Sequence, residues 1–201
     1  MRAAGGGEDR CTFCHMRAVA CVCSIIEPLT LATRVCLVIH SNEVRRTSNT
    51  GQMALRALTN SEMRIRGRTG EPLDLSDLLE ESYRPFLLYP AEGAVELDHQ
   101  LVAQSDRPVM LIVPDGNWRQ ASKVHYRHSE ISHVPRVKFS GANTDLYSLR
   151  HQHRQEGMAT LQAIAHAMGV LEGEAVQRQL LKLYQARLSK SLITRGIDIY
   201  A

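Results

Sequence analysis

Short apolar runs alternate with stretches of helical periodicity along this chain of 201 residues. Apolar runs rich in β-branched residues predict buried strands, and these lie at 34–40, 86–89, 109–113 and 135–141. Apolar residues spaced three and four positions apart predict helices, which lie at 52–58, 97–104, 119–128, 158–171 and 175–191, with a shorter one running through Leu78. Strands that alternate with helices are typical of an α/β domain with a mostly parallel sheet.

The composition is sufficient for a packed core, but the net charge is too small for nucleic acid to bind over the whole surface. Hydrophobic residues make up 44% of the chain and charged residues 22%, and the net charge is only +3. Any RNA contact must therefore come from local clusters of arginine. No apolar run reaches the roughly 18 residues of a membrane span, and the first ten residues lack the apolar core of a signal peptide. We expect a cytoplasmic protein, away from membranes, with reduced cysteines.

Four of the five cysteines crowd into a short polar segment near the N-terminus. They follow the pattern C-x2-C-x6-C-x-C, as Cys11, Cys14, Cys21 and Cys23. Four thiolates can surround a zinc ion tetrahedrally, and C-x2-C is the usual chelating spacing, so we expect a structural zinc site. Four unrelated thiols and an iron–sulfur cluster are the alternatives, and His15 could replace one thiolate. Cys36 lies in the first predicted strand, where a thiol is usually inert packing.

The sequence Pro-Asp-Gly-Asn-Trp follows the third predicted strand, at 114–118. In open α/β sheets, ligands bind in the crevice beyond the carboxyl ends of the strands, so Asp115 and Trp118 are candidates for ligand contact. Gly116 lets the chain turn and lets a ligand approach the backbone. The alternative, equally good on pattern alone, is that Asp115 caps the next helix and Trp118 anchors that helix to the core.

Two helix starts beside basic residues are candidates for anion binding. One follows a basic stretch at 150–154 and begins near Thr160, where unpaired N–H groups could hold a carboxylate or phosphate. The other is Ser-Asn-Thr-Gly at 48–51, next to Arg45 and Arg46. A solvated basic loop before an ordinary helix is the alternative in both places.

A third basic segment has arginine at every second position. Arg64, Arg66 and Arg68 would share one face of an extended chain. A solvated strand edge explains this pattern more often than an RNA contact does.

Together, these pieces resemble the DTW-domain family of tRNA-uridine aminocarboxypropyltransferases. The resemblance covers nearly the whole chain, and the pieces occur in the family's order. They are the four-cysteine segment, HSNEVRRTSNTG at 40–51, LLYP at 87–90, DGNW at 115–118, and YSLR at 147–150 followed by the helix start at Thr160-Leu161.

The resemblance implies a SPOUT-like α/β fold whose C-terminal part is tied in a deep trefoil knot. It divides the chain into an N-terminal tail and zinc segment at 1–30 and a catalytic DTW domain at 31–195. It also implies transfer of the 3-amino-3-carboxypropyl group of S-adenosylmethionine to N3 of a tRNA uridine, with release of methylthioadenosine. Catalysis would need no metal. An RNA methyltransferase of the same fold and a non-enzymatic zinc-containing RNA-binding module are the alternatives.

The resemblance assigns a role to each matching position. Asp115 and Trp118 would be catalytic, Asp115 as the base or as a group that positions the uridine. The donor would be held by Leu88, Tyr89, Pro90, Pro114, Gly116, Asn117, Ala159, Thr160 and Leu161. From the basic clusters, and not from the resemblance, we expect RNA to be contacted by Arg45, Arg46, Asn49, Thr50, Arg64, Arg66, Arg68, Arg150 and Arg154.

The chain departs from the family pattern at two places, and its oligomeric state stays open. Asn117 replaces a common threonine and can still form hydrogen bonds. Ala159-Thr160-Leu161-Gln162 replaces Ser-Thr-Leu-Glu, so positions 159 and 162 lack the family's hydroxyl and carboxylate.

Overall fold

The structure is a computed structural model that describes residues 10–139 and 158–194. These residues form one α/β unit around a single sheet. The strands are β1 (Arg34–His40), β2 (Ser61–Arg66), β3 (Arg84–Leu88), β4 (Val95–Glu96), β5 (Val109–Asp115) and β6 (Arg136–Lys138). The helices are α1 (Gly51–Ala57), α2 (His99–Val102), α3 (Trp118–Arg127), α4 (Thr160–Glu172) and α5 (Glu174–Ile193). The predicted YSLR motif and Arg154 lie outside the described residues.

The sheet has the strand order β2-β1-β5-β3-β6-β4, and every pair of neighbours is parallel. Strands β1 and β5 are neighbours inside the sheet, and the β1 residues from Val35 to Ile39 are fully buried. Parallel strands covered on both faces have continuous apolar sequences, which is why these two were visible in the sequence. All the strands run in the same direction, so their carboxyl ends lie side by side along one end of the sheet, the carboxyl edge.

Helices cover both faces of the sheet. Helices α1, α4 and α5 pack on one face, where Leu37 and Ile39 of β1 join their apolar side chains. Helix α3 and a 3-10 turn at Ser76–Leu79 pack on the other face, against Cys36 and Val38. Alternation along β1 produces this division, because successive side chains of a strand point to opposite faces.

Most predicted elements are confirmed, with shifts at their ends. Strand β5 runs two residues beyond the predicted 109–113 and therefore includes Asp115. The helix predicted at 97–104 is shorter, because Asp98 caps α2 by accepting a hydrogen bond from the Leu101 N–H at 2.8 Å. The short helix predicted through Leu78 is a single 3-10 turn. The strand predicted at 135–141 is shorter, since β6 ends at Lys138.

Two edge regions differ from the sequence interpretation. Strand β4 is too short to produce a pattern in the sequence. Strand β2 ends at Arg66, and Gly67 follows with a left-handed φ of 79°. Arg64 and Arg66 therefore share a face of the strand, whereas Arg68 lies beyond it.

The N-terminal cysteine segment packs as a small unit against the main fold. Its 3-10 turns span Ala18–Ala20 and Cys23–Ile25, and the first of them contacts α5. An antiparallel bridge between Arg10 and Arg17 closes the loop around the first two cysteines. Within residues 10–139 and 158–194, no helix combines the length and apolarity needed to cross a membrane.

Candidate active site and metal centre

Asp115 ends strand β5 with its carboxylate inside the protein. The residue is only 4% exposed. Its Oδ2 accepts a hydrogen bond from the Asn49 side-chain amide, and its Oδ1 accepts one from the Thr160 hydroxyl at 2.7 Å. Asn49 precedes α1 and Thr160 begins α4, so one carboxylate joins two segments that are 66 and 45 residues away along the chain.

Glycine at position 51 allows α1 to begin against this carboxylate. A Cβ there would lie 3.0 Å from Asp115 Oδ2 and 3.0 Å from a methyl group of Leu37. The Thr50 hydroxyl oxygen accepts a hydrogen bond from the Leu161 N–H at 3.2 Å. The starts of α1 and α4 are thereby held together around Asp115.

The residue that caps α3 is Asn117, and not Asp115. The Asn117 side chain accepts a hydrogen bond from the Gln120 N–H at 2.9 Å, and the Gln120 side chain accepts one from the Asn117 N–H at 2.9 Å. This reciprocal arrangement is a capping box. A Cβ at Gly116 would lie 2.9 Å from the Gln120 side chain, so glycine is needed beside the cap. The interpretation of Asp115 as a helix cap is therefore wrong.

Tyr89 and Trp118 form an aromatic pair at the same edge of the sheet. Their ring centroids are 5.7 Å apart and the rings meet edge to face at 61°. Tyr89 packs against the core on the α3 side of the sheet, whereas Asp115 bonds to residues at the starts of α1 and α4. The aromatic pair and the carboxylate thus approach the strand ends from opposite faces. Half-exposed rings of this kind can pack against a flat ligand such as a nucleoside.

The segments predicted to bind the donor converge at this edge. Strands β3 and β5 are neighbours, and the start of α4 is tied to β5 through Thr160. The converging residues are Leu88, Tyr89 and Pro90 after β3, Pro114, Gly116 and Asn117 at the end of β5, and Ala159, Thr160 and Leu161 at the start of α4. The backbone N–H groups of Asn117 and Leu161 already bind protein acceptors.

The four N-terminal cysteines converge as the sequence predicted. Their sulfur atoms all lie within 4.8 Å of one another, with Cys11 and Cys23 3.8 Å apart and Cys14 and Cys21 3.7 Å apart. A tetrahedron of thiolates around zinc, with Zn–S bonds of about 2.3 Å, has sulfur–sulfur edges of about 3.8 Å. The donor set and its spacing therefore fit zinc, and the group contains no histidine among the described residues.

The pKa values of the thiols in this group shift in different directions. Hydrogen bonds from the backbone of Cys14 and Phe13 lower the pKa of Cys11 to about 6. Burial raises the pKa values of Cys14 and Cys23. Metal ligands must be deprotonated, so a bound cation is needed to keep all four as thiolates. Burial also raises the pKa of Cys36 in β1 to about 12, which agrees with the inert role expected for it.

A buried arginine of α5 lies between the cysteine group and the Asp115 site. Arg187 is fully buried, and it donates hydrogen bonds to the backbone carbonyls of Thr47 and, at 3.4 Å, Asn49. Burial lowers the pKa of Arg187, and the four cysteines, Cys14 foremost, oppose that shift. Its Nε and Nη1 atoms have no hydrogen-bond partner in the described part of the chain. The guanidinium thus holds the backbone of Asn49, whose side chain bonds to Asp115.

Sequence reasoning missed Arg187, although a signal was present. Arg187 follows Leu180, Leu183 and Tyr184 at helical spacing on the buried face of α5. A charged residue at a core position of an amphipathic helix needs a specific partner, and that mismatch could have identified it.

The residues predicted to contact RNA occupy very different environments. Arg45 and Arg46 are exposed, with Arg46 3.5 Å from Glu43. Asn49 and Thr50 are buried and bonded within the protein, which removes them from the surface that a phosphate reaches. Arg150 and Arg154 lie outside the described residues.

The arginines of the β2 region are equally unlike one another. Arg64 pairs with Glu62 at 2.6 Å and with Asp77 at 2.5 Å. Arg68 pairs with Glu71 at 3.0 Å. Arg66 is buried and donates to the Gln120 carbonyl of α3 at 2.9 Å.

Comparison with known proteins identifies the family of this chain. A family model described as DTW domain matches residues 8–192, which include the four cysteines, the sheet and most of α5. The chain belongs to the DTW domain family. Within this DTW protein, the matched region holds both the cysteine group and the Asp115 site.

Curated relatives are similar at modest identity. The chain is 26% identical over 192 residues to tRNA-uridine aminocarboxypropyltransferase 2 of Macaca fascicularis and to that of Mus musculus, and each match covers 92% of this chain and 64% of the relative. It is 26% identical over 181 residues to the protein of the same name from Drosophila melanogaster, covering 87% of this chain and 71% of the relative. The chain thus spans less than two thirds of the two mammalian relatives. No solved structure matches it significantly.

Proposed function

We propose that this DTW protein transfers the 3-amino-3-carboxypropyl group of S-adenosylmethionine to N3 of a uridine in tRNA. The observation that carries the proposal is the buried Asp115 carboxylate, joined to Asn49 and Thr160 where three predicted donor-binding segments converge. The names of the relatives, which match over most of this chain, favour the same reaction.

The reaction is set by which carbon of the donor meets the nucleophile. The sulfonium activates each carbon bonded to it. When uridine N3 attacks the γ-carbon of the amino-acid arm, an N–C bond forms, the C–S bond breaks with its electron pair passing to sulfur, and methylthioadenosine leaves. Only the carbon held in line reacts. The task of this chain is therefore to present the arm, rather than the methyl group, to the uridine.

We assign to Asp115 the role of the base that accepts the proton of uridine N3. A positioned base typically contributes about 10²–10⁴ in rate, and a carboxylate can accept several hydrogen bonds as well as a proton. The hydrogen bonds from Asn49 and Thr160 fix the orientation of the carboxylate before substrate arrives. Positioning of the uridine is the second task that this geometry supports.

Trp118 and Tyr89 are assigned to the wall of the nucleoside pocket. Their edge-to-face contact fixes both rings at the carboxyl edge of the sheet. The target base has to leave its stack to reach such a site, as in other base-modifying enzymes. The nine residues predicted to bind the donor belong to three segments that begin or end at this edge, and we assign the exposed Arg45 and Arg46 to tRNA phosphates.

The remaining expectations belong to the same proposal. We assign a SPOUT-like knot to the C-terminal part of the sheet, as the family resemblance implies. The cysteine group at 1–30 would hold zinc in a structural role, because four protein ligands leave no open position, and 31–195 would be the catalytic domain. The expected compartment is the cytoplasm.

The test is methylthioadenosine release from the donor in the presence of unmodified tRNA. We expect wild-type protein to release it and Asp115→Asn to lose about 10²-fold or more of that rate while retaining tRNA binding. Asp77→Asn changes a surface carboxylate and serves as the matched control. Thermal denaturation of both variants separates lost chemistry from lost folding. Release of S-adenosylhomocysteine instead would make the protein a methyltransferase and overturn the proposal.

A further inference from the structure

Helix α3 has a row of positive charges on one face. Arg119, Lys123 and Arg127 are four residues apart, and residues at that spacing are neighbours on a helix surface. Tyr126 is seven residues after Arg119, close to two full turns, so it lies on the same side of the helix and is 77% exposed. Helix α3 contains no aspartate or glutamate that could neutralise this face.

Strand β2 adds a fourth cation to the row. The Nη1 of Arg66 donates to the Gln120 carbonyl of α3 at 2.9 Å, which fixes this guanidinium against the helix. The other charges act on it and on one another. The pKa of Lys123 is lowered by Arg127 first, then by burial, Arg119 and Arg66. The pKa of Arg66 is lowered by burial and by Arg127.

These four cations have no carboxylate partner among residues 10–139 and 158–194. By contrast, Arg64 and Arg68 of the neighbouring segment are both paired with acidic side chains. Like charges four residues apart destabilise a helix. A cluster that persists against this repulsion is suited to a polyanion, which would supply the missing counter-charge.

The position of the row connects it to the candidate active site. Helix α3 begins at Trp118, three residues after Asp115, and the Asn117 capping box fixes its first turn. From Arg119 to Arg127 the helix rises about 12 Å, so the row can meet several phosphates of one strand. A polyanion bound along it would reach the carboxyl edge of the sheet.

We propose that the face of α3 formed by Arg119, Lys123 and Arg127 binds the phosphate backbone of the RNA substrate, that the buried Arg66 adds positive charge beneath this face, and that Tyr126 stacks on one of the unpaired bases. The choice of RNA rests on the proposed function. Arginine and lysine contact phosphates without reading sequence, while exposed aromatic rings stack on splayed bases.

The test compares two charge-matched double variants of the full chain. Lys123→Gln with Arg127→Gln removes two positive charges from the row. Arg178→Gln with Lys182→Gln removes two from the exposed surface of α5, on the opposite face of the sheet. The measurement is the tRNA dissociation constant between 50 and 200 mM salt.

Each lost phosphate contact lowers the slope of log affinity against log salt by about 0.7–0.9. We therefore expect the α3 variant to lose about 1.4–1.8 of the wild-type slope and the α5 variant to keep it. Tyr126→Ala should weaken binding of an unpaired RNA loop, keep the slope and leave duplex RNA unaffected. Equal slopes for the α3 variant and wild type would overturn the proposal, as would binding of an acidic polypeptide in preference to tRNA. If wild type releases no methylthioadenosine but the α3 slope still falls, the proposed function fails and the RNA surface stands.

Discussion

Replacing Arg187 with methionine tests the connection between the cysteine group and the Asp115 site. The substitution keeps most of the side-chain volume but removes the guanidinium that binds the carbonyls of Thr47 and Asn49. Hydrogen bonds from charged donors contribute about 1.5–3 kcal/mol each, and the contact to Asn49 is long. We therefore expect a loss of about 3 kcal/mol in the free energy of unfolding. For a chain of this size, that corresponds to a fall of about 6–12 °C in melting temperature.

Bound zinc should increase the loss of stability that Arg187→Met causes. Four thiolates around zinc carry a net negative charge, which offsets the cost of burying Arg187. The cost of Arg187→Met should therefore be larger in the zinc-loaded protein than after chelation, and the variant should bind zinc more weakly, because the coupling is reciprocal. Arg178→Met is the matched control, since Arg178 is an exposed arginine of the same helix, paired with Glu174, and such pairs contribute at most about 1 kcal/mol.

The assay is thermal denaturation with and without a chelator, combined with competition for zinc by a chromogenic ligand. Buried charges can be a net liability that well-packed apolar residues relieve. If Arg187→Met melted at or above the wild-type temperature in the zinc-loaded state, the hydrogen bonds to the Thr47 and Asn49 carbonyls would not be stabilising the fold. An equal loss in loaded and stripped protein would refute only the electrostatic connection to the cysteines.

Three further predictions concern single sites. Cys14→Ser should reduce bound zinc from about one equivalent toward none, whereas Cys36→Ala should leave it unchanged; full zinc content in the first variant, measured by atomic emission, would argue against the cluster. Gly51→Ala should slow methylthioadenosine release and cost about 1–3 kcal/mol of stability, because its Cβ would lie 3.0 Å from the Asp115 carboxylate; wild-type turnover would show that this approach is not needed. Burial, with Arg66 next, lowers the pKa of His40 below its ordinary 6.5. The unfolded chain then binds the proton more readily, so stability contributed by neutral His40 is present above pH 6.5 and lost as the pH falls. Chemical denaturation of His40→Gln should show a shallower decline below that pH, and an unchanged decline would exclude His40 as its source.

The central strands could be predicted from the sequence because their physics is local. Strands β1 and β5 are buried on both faces, so their apolar runs are continuous. Strand β2 is polar and lies at an edge, and β4 has two residues, so neither produces a clear pattern. The four cysteines were equally visible, since their spacing alone indicates a chelating turn.

The inner contacts of the site could not be predicted in the same way. Asp115 was identified by its place after a strand, but its bonds to Asn49 and Thr160 depend on how three distant segments pack. The prediction that Asn49 contacts RNA came from its neighbours Arg45 and Arg46, and burial gives it a different task. The basic row on α3 follows from the four-residue spacing of Arg119, Lys123 and Arg127 on a predicted helix, whereas its lack of carboxylate partners among the described residues depends on how distant segments pack.

The most direct test of the proposed chemistry uses two samples of S-adenosylmethionine, one labelled in the methyl group and one in the amino-acid arm, each incubated with the full chain and unmodified tRNA. We expect the arm label to enter a tRNA uridine and the methyl label to leave in methylthioadenosine. Methyl label in the tRNA, or no transfer of either label by folded, zinc-loaded protein, would contradict this expectation.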